Sequence, residues 1–519
     1  MTKIQQLLEK KYIKLLIHWG KFLLIILPVS LTLTGVYYFV LIIAGVYIKI
    51  DINTEYQTMK GFGASSAWTF QNLGASDDEV LDNAVELLYG DSGLSLNIFR
   101  YNIGAGSAES RFNDVSPYNS GYFDEARRAE SFFIGENYVD SYSYLNINNY
   151  DFTRDNNALK LFEKCLATNN IKEVVFFANS PHYTMTTNGK TVGNMEYDNN
   201  LREDAYIDYS NYLLVIVNYL YQNYLVGLED VPAIYISAVN EPQWRWGGEG
   251  ASQEGCHYDP AELAAFYDVF NNRLSNFNTV NNTNFHMDVF ESGNYKLSKI
   301  KDYLEEMSKY DYFNELDYIS VHSYAADTDR SIRNSFKHLL NKYYPDLSIS
   351  MTEFCELRSG RDTSIDSGLF LGKVMSRDFT LIDATDWSWW LAISNGDYND
   401  GLVYWDVING EDTFSVLKRY YVMGHYSKYI SYGDVRVDVT DSDFLGFSKL
   451  DYCAYKKADG TIVLVVINDG NNINVRLNGN YETMQTITTT EKDNWKVENS
   501  EFSGKINLTK KSITTIILK

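Results

Sequence analysis

From residue 57 onward the chain alternates short apolar runs, polar breaks and stretches of helical spacing. Eight apolar runs stand out: Met59–Ala64, Leu96–Tyr101, Val174–Ala178, Ala233–Val239, His286–Phe290, Tyr318–Val321, Ser348–Met351 and Trp387–Trp390. Between them lie segments whose apolar residues recur at three and four positions, among them Asp78–Tyr89, Asn157–Thr168, Glu262–Phe277 and Ile332–Tyr343. Eight strand–helix units with right-handed crossovers predict an α/β chain built as a closed parallel (β/α)8 barrel over residues 59–429. A doubly wound open sheet is the alternative. No Gly-x-Gly-x-x-Gly turn opens a helix after a strand, so a dinucleotide site has no support.

After about Ile430 the period changes. Val435–Val439, Tyr452–Lys456, Ile462–Ile467, Ile473–Leu477 and Ser512–Leu518 alternate or are β-branched, with turn signals at Asp469-Gly470 and Asn478-Gly479. Residues 430–519 therefore read as an all-β unit. The strand-like stretch at 46–58 is expected to complete it as a side β-sandwich, because a lone strand is not stable. Ser107–Asp151 is long, polar and Tyr-rich without apolar period. It follows the second barrel strand and is expected to be a loop over the barrel's C-terminal face, where such folds keep their active sites.

The first 45 residues are of another kind. Lys3, Lys10, Lys11, Lys14 and Lys21 stand against one acid, Glu9, and the 27 residues Phe22–Ile48 carry no charge. That length crosses a hydrocarbon layer of roughly 30 Å and exceeds the usual signal-peptide core of about 7–15 residues. The lysines hold the short end in the cytoplasm, so the segment is a membrane anchor or a signal, with the membrane as partner through residues 22–48 if uncleaved. Everything after it is expected at the cell surface or secreted, in extracellular space.

Charge and composition narrow the partners. The formal charge of −23 (45 basic against 68 acidic residues) repels phosphate backbones, and no nucleic-acid partner is expected. Forty-two tyrosines and nine tryptophans supply flat amphipathic rings that suit sugar faces and ordinary cores alike. Four cysteines, at 165, 256, 355 and 453, are too few and too spread for a disulfide framework or a metal cluster.

With 68 acids, position decides which one matters. Ile234–Val239 runs into Asn240-Glu241-Pro242, and proline ends the ladder, so Glu241 is placed at the C-terminal lip of the fourth strand. Ile349–Thr352 ends likewise in Glu353 at the seventh. Two glutamates facing each other across a barrel mouth are what glycosidic-bond cleavage needs: one acid for the leaving oxygen, one carboxylate on the opposite face. Arg100, at the tip of the second strand, is expected to hold Glu353 ionised. Asn240 is placed to hydrogen-bond a sugar 2-hydroxyl. His322 and Tyr324 end the sixth strand, Trp387, Trp389 and Trp390 line the eighth, and Trp68, Tyr183 and Trp244 are candidate stacking platforms. Glu291, ending the fifth strand, is the rival carboxylate.

The motifs Gly61-Phe62-Gly63-Ala64, Arg100-Tyr101-Asn102-Ile103-Gly104, Asn179-Ser180-Pro181, Asn240-Glu241-Pro242-Gln243-Trp244 and Gln253-Glu254-Gly255-Cys256 resemble glycoside hydrolase family 30. The last two, spaced as here, most resemble its endo-β-1,6-galactanase-like branch. The resemblance spans about residues 46–519. It implies a retaining β-glycosidase with a barrel and a side β-sandwich, Glu241 as acid/base and Glu353 as nucleophile, with no metal and no cofactor. Ala64-Ser65 and His182-Tyr183-Thr184 depart from the family's usual residues at positions that shape sugar subsites, which bears on substrate and not on chemistry. The expected substrate is a β-linked polysaccharide or oligosaccharide, with β-1,6-galactan first. A β-1,6-glucanase, a xylanase or a glucosylceramidase-like enzyme remain within the same chemistry. A catalytically dead carbohydrate-binding barrel and a membrane-tethered adhesion module are the readings outside it.

Overall fold

The computed structural model describes residues 37, 45–107, 129–134, 143–193, 199–247, 253–443 and 445–519. The chain enters as β1 (Val46–Thr58), whose first five side chains are alternately buried and exposed. Eight strands follow at helix-long intervals: β2 (Gly61–Ser65), β3 (Ile98–Asn102), β4 (Glu173–Phe177), β5 (Ala233–Ser237), β6 (Phe285–Asp288), β7 (Tyr318–His322), β8 (Ser348–Glu353) and β9 (Ala384–Ser394). Each coincides with one of the eight apolar runs. Parallel ladders join β2 through β6 and β7 through β9, and β9 returns to β2 with Gly61 opposite Asp386. The sheet is thus a closed parallel barrel.

The seam between β6 and β7 is made differently. β6 is only four residues long, and the chain reaches β7 just beyond it, where Ser292 lies opposite Val321 and His322 N–H donates to the Ser292 carbonyl at 2.7 Å. To get there the backbone passes through the left-handed region at Phe290 (φ 86°) and Glu291 (φ 31°). Such conformations cost non-glycine residues about 1–3 kcal/mol each and persist where the surroundings enforce them. Here the result is that Glu291 is turned inward.

The helices cover the barrel as their spacing predicts. Helix Asp78–Tyr89 buries Leu81, Ala84, Val85 and Leu88, one stripe at three- and four-residue intervals, and burying each leucine contributes roughly 1.5–3 kcal/mol. Helices Asn156–Leu166, Pro260–Asn281 and Arg330–Tyr343 fall on the other three predicted segments. Two further strands escaped the sequence reading: β10 (Gly401–Ile408) runs parallel to β9 and turns back as β11 (Glu411–Val416). Their hairpin turns at Asn409-Gly410, both with positive φ, the residue pair such turns prefer.

The second unit holds β12 (Val435–Asp441), β13 (Leu450–Lys456), β14 (Ile462–Asn468), β15 (Ile473–Leu477), β16 (Thr483–Thr489), β17 (Lys496–Glu501), β18 (Lys505–Leu508) and β19 (Ser512–Leu518). β1 lies inside this sheet, antiparallel to β12 and parallel to β15. Val46, Ile48, Val437, Leu464, Val475 and Ile516 form its apolar core. β16, β17 and β18 were not read from the sequence. β17 is exposed along its whole length and so has no apolar period to betray it.

Two expectations need correction. The uncharged run 22–48 cannot be wholly membrane segment, because Val46 and Ile48 are buried in the β-sandwich core. Apart from Tyr37, residues 22–44 lie outside the described residues, and the anchor or signal expectation falls there. Among the described residues no helix is long and apolar enough to cross a membrane. In its described parts 107–151 is the expected loop, but its polarity needs correcting: Phe132, Phe133, Tyr144 and Tyr150 are buried, Phe133 stacking on Tyr144 at 4.6 Å and meeting His182 edge-on at 5.3 Å. Residues 108–128 and 135–142 lie outside the described residues. The four cysteines are buried thiols.

Candidate active site

Glu353 is the last residue of β8, while Glu241 stands further from its strand than the sequence suggests. β5 leaves the ladder at Ser237, so proline is not what ends it. Glu241 is held instead by its surroundings, at φ 47° just before Pro242, where extended backbone is the norm. Its N–H donates to the Glu291 carbonyl at 3.0 Å, and its own carbonyl accepts the Trp246 indole N–H at 3.0 Å. Gly293 makes room: a Cβ there would lie 2.6 Å from Glu241 Oε1 and 2.2 Å from Gln243 Nε2.

Three carboxylates meet two cationic side chains at this point. Arg100, fully buried on β3, donates through Nη1 to Glu353 at 3.2 Å and through Nη2 to both oxygens of Glu291 at 3.0 and 3.2 Å. His322 lies between Glu241 (Nδ1 to Oε1, 2.8 Å) and Glu291 (Nε2 to Oε2, 2.6 Å), with Glu353 Oε1 at 3.7 Å. The Tyr324 hydroxyl donates to Glu353 at 3.2 Å. Burial works against a charged imidazole, yet the charge of Glu353 and the bonds to Glu241 and Glu291 raise His322 to about 10. Burial likewise opposes ionisation of Glu291, but Arg100 and then His322 win and bring it down to about 2.

Burial, reinforced by the charges of Glu241 and Glu291, pushes the Glu353 carboxyl up to about 7 against the pull of His322 and Arg100. Arg100 pulls Glu353 toward ionisation, as expected, but its guanidinium is shared with Glu291, and burial with the like charges works against that pull. Two cations facing three carboxylates leave room for one proton among them.

One oxygen each of Glu241 and Glu353 and a nitrogen of His322 lie within 4.8 Å of one another, a spacing a metal ion could use. Both His322 nitrogens, however, are spent on carboxylates, and a protonated ring has no lone pair to give. The donor set fits a proton network and does not fit a metal.

A cavity of about 320 Å³ opens over the two glutamates, within the size range of ligand pockets, lined also by Trp244, Trp246, Tyr324, Trp390 and Asp400. Of the proposed sugar contacts, Trp244 (40 % exposed) and Tyr324 line it. The others do not. Arg100 and His322 are fully buried behind the carboxylates. Trp387 faces the helical layer, its indole N–H donating to Asp378 Oδ2, and Trp389 is buried with its indole N–H on the Asp400 carbonyl. Trp68 supports Trp390 edge-on at 5.3 Å, and Tyr183 packs on His182 at 4.2 Å. Asn240 is buried beside Glu241, its Oδ1 without a hydrogen-bond partner.

Trp246 and Gln253 were missed as cleft residues. The motif Gln253-Glu254-Gly255 was the available signal. Glu254 anchors the loop by accepting from Ala105 and Ser107 N–H at 3.1 and 3.2 Å, and a Cβ on Gly255 would strike the Trp246 ring.

A sequence model of O-glycosyl hydrolase family 30 matches residues 45–404, and one of the glycosyl hydrolase family 30 β-sandwich domain matches residues 433–516. The chain is 26 % identical over 404 residues to an endo-β-1,6-galactanase of Hypocrea rufa, covering 74 % of this chain and 75 % of that protein. Among solved structures, a conserved exported protein of Bacteroides fragilis aligns with TM-score 0.75 at 21 % identity, over 91 % of this chain and all of that one. The catalytic domain of the family 30 xylanase C of Talaromyces cellulolyticus aligns with TM-score 0.66 at 17 % identity, again over 91 % of this chain and all of that one. With both parts of its architecture matched, the chain belongs to glycoside hydrolase family 30.

Proposed function

We propose that this glycoside hydrolase is a retaining endo-β-1,6-galactanase, with Glu353 as nucleophile and Glu241 as acid/base. The observation that carries the mechanism is the approach of Glu241 and Glu353 oxygens to within 4.8 Å. That spacing fits the roughly 5–5.5 Å of a retaining carboxyl pair, not the about 6.5–9.5 Å that admits an inverting water. It also weighs against a dead binding barrel, since both carboxyls are present and close. Galactan is supported by the curated relative, and action within a chain by the exposed Trp244 at the rim of the cleft.

The steps follow from the charges. Glu353 attacks the anomeric carbon while Glu241 gives its proton to the departing oxygen, so the nucleophile becomes a neutral ester as the acid becomes a carboxylate. The network keeps two carboxylates against two cations throughout, and no net charge is created in a buried place. Water then gives a proton to Glu241 as its oxygen attacks the anomeric carbon, breaking that carbon's bond to Glu353 and freeing the carboxylate with the configuration retained.

Incubation with de-arabinosylated β-1,6-galactan, β-1,6-glucan and glucuronoxylan, with products sized by chromatography, tests the reading. Short galacto-oligomers, lost in Glu241→Gln, are expected; cleavage confined to glucan or xylan overturns the substrate, and inertness on all three overturns the function. The lysine-flanked apolar run near the amino terminus supports work outside the cytoplasm, which protease shaving of intact cells would check.

A further inference from the structure

Glu291 is a carboxylate of the network that does not reach the cavity. It is fully buried and clamped by Arg100 and His322, and its carbonyl holds the Glu241 N–H. The left-handed turn at Phe290 and Glu291 is the local strain that puts it there. Neutralising Arg100 does not account for it, because Arg100 already faces Glu353. What only Glu291 supplies is a second anion on the far nitrogen of His322.

That nitrogen decides where the proton of Glu241 lies. A ring protonated on both nitrogens can only donate, so Glu241 Oε1 must accept from Nδ1, and the acid proton must sit on Oε2. A neutral ring that gives Nε2–H to Glu291 would offer a lone pair at Nδ1 and draw the proton of Glu241 onto Oε1, the oxygen turned to the histidine.

We propose that Glu291 is a positioning residue that keeps His322 doubly protonated and thereby places the catalytic proton on Oε2 of Glu241. The inference rests on the glycosidase reading of Glu241. The groups that face His322 are Glu241 from the β5 exit, Glu291 from the β6 exit and Glu353 from β8, with the Tyr324 ring 5.9 Å away. Arg100 on β3 stands behind Glu291 and Glu353, and the charge of Glu291 raises the neighbouring Asp288 and Tyr267. The raised proton affinity of His322 agrees with this arrangement.

The test compares two substrates: β-1,6-galactotetraose, whose leaving sugar needs a proton, and 2,4-dinitrophenyl β-1,6-galactobioside, whose leaving group does not. E291Q is expected to lose about 100-fold in kcat/KM on the first and less than about threefold on the second, the span of a lost acid catalyst. The alkaline limb for galactotetraose should move to lower pH, and E291D, which keeps the charge, should restore most of it. Equal losses on both substrates with an unmoved limb would mean a merely structural role and overturn the proposal.

Should E291Q fail to fold, the ¹⁵N shifts of His322 in the wild-type protein at pH 7 decide. Two protonated nitrogens support the proposal, and a neutral tautomer overturns it. A wild-type protein inert on both substrates would sink the glycosidase reading instead, while the state of the ring would still be read independently.

Discussion

Glu241 and Glu291 are joined twice, by the Glu241 N–H donating to the Glu291 carbonyl at 3.0 Å and by His322 bridging their carboxylates at 2.8 and 2.6 Å. Both residues sit in left-handed backbone beyond the ends of their strands. The acid of this site is thus placed by its neighbour and not by its own strand, whereas Glu353 is placed by the β8 ladder itself. Disturbing the β6 exit should therefore act on acid catalysis first.

Replacing Glu353 by Gln should lower turnover by at least about 10⁴-fold, since the amide cannot form the ester intermediate. The melting temperature should stay within a few degrees, because the change removes one of three clustered anions. Residual activity above 1 % of wild type, after contaminant controls, would exclude Glu353 as the nucleophile.

Burial among like charges raises Glu353 to about 7, so the nucleophile is protonated below that pH and ionised above it. For a sugar and a dinitrophenyl leaving group alike, kcat/KM should consequently rise as pH climbs through about 7, because both need the ionised nucleophile. Profiles flat across that range on both substrates would refute this assignment.

Gly293→Ala places a methyl 2.2 Å from Gln243 Nε2 and 2.6 Å from Glu241 Oε1. We expect a tenfold or greater loss of kcat/KM, on the scale of a misplaced catalytic group, with the fold retained in circular dichroism. Wild-type kinetics would show that the two side chains yield freely.

Trp244 and Trp387 should respond in opposite ways. Trp244→Ala, at an exposed rim position, should raise KM for galactan and leave the melting temperature alone. Trp387→Phe strips a donor from buried Asp378 Oδ2, 3.0 Å away, and should cost about 1–3 kcal/mol of stability with kinetics unchanged. Urea unfolding and Michaelis curves on both variants check the contrast.

His425 is buried between the Thr515 and Thr489 hydroxyls at 2.9 and 2.8 Å, tying helix Lys418–Ser427 to the β-sandwich. Burial lowers it from 6.5 to about 3, so it is neutral in the fold. Its folded value lies below the unfolded one. Its contribution is therefore complete above about pH 6.5 and is lost as pH falls towards 3, by up to about 1.4 kcal/mol per pH unit. Stability measured from pH 7 to 4 should fall less steeply in His425→Gln than in wild type.

The eight barrel strands were legible because each is a short, nearly all-apolar run bounded by polar breaks, a pattern that burial on both faces imposes locally. Glu241 and Glu353 were legible for a related reason: Asn240-Glu241-Pro242 and Thr352-Glu353 each follow such a run directly. β17 was not, since an exposed strand is held by pairing with β16, and pairing partners leave no mark on a polar segment.

The eighth strand marks the boundary most sharply. Trp387, Trp389 and Trp390 are one residue type in one run, and only the register of β9 keeps the first two out of the cleft and turns the third toward it. Composition and local period thus determined the barrel, the β-unit and the two carboxylates. The network around them was decided by tertiary structure alone, because Arg100, Glu241, Glu291, His322 and Glu353 lie on or just beyond five different strands that only barrel closure brings together.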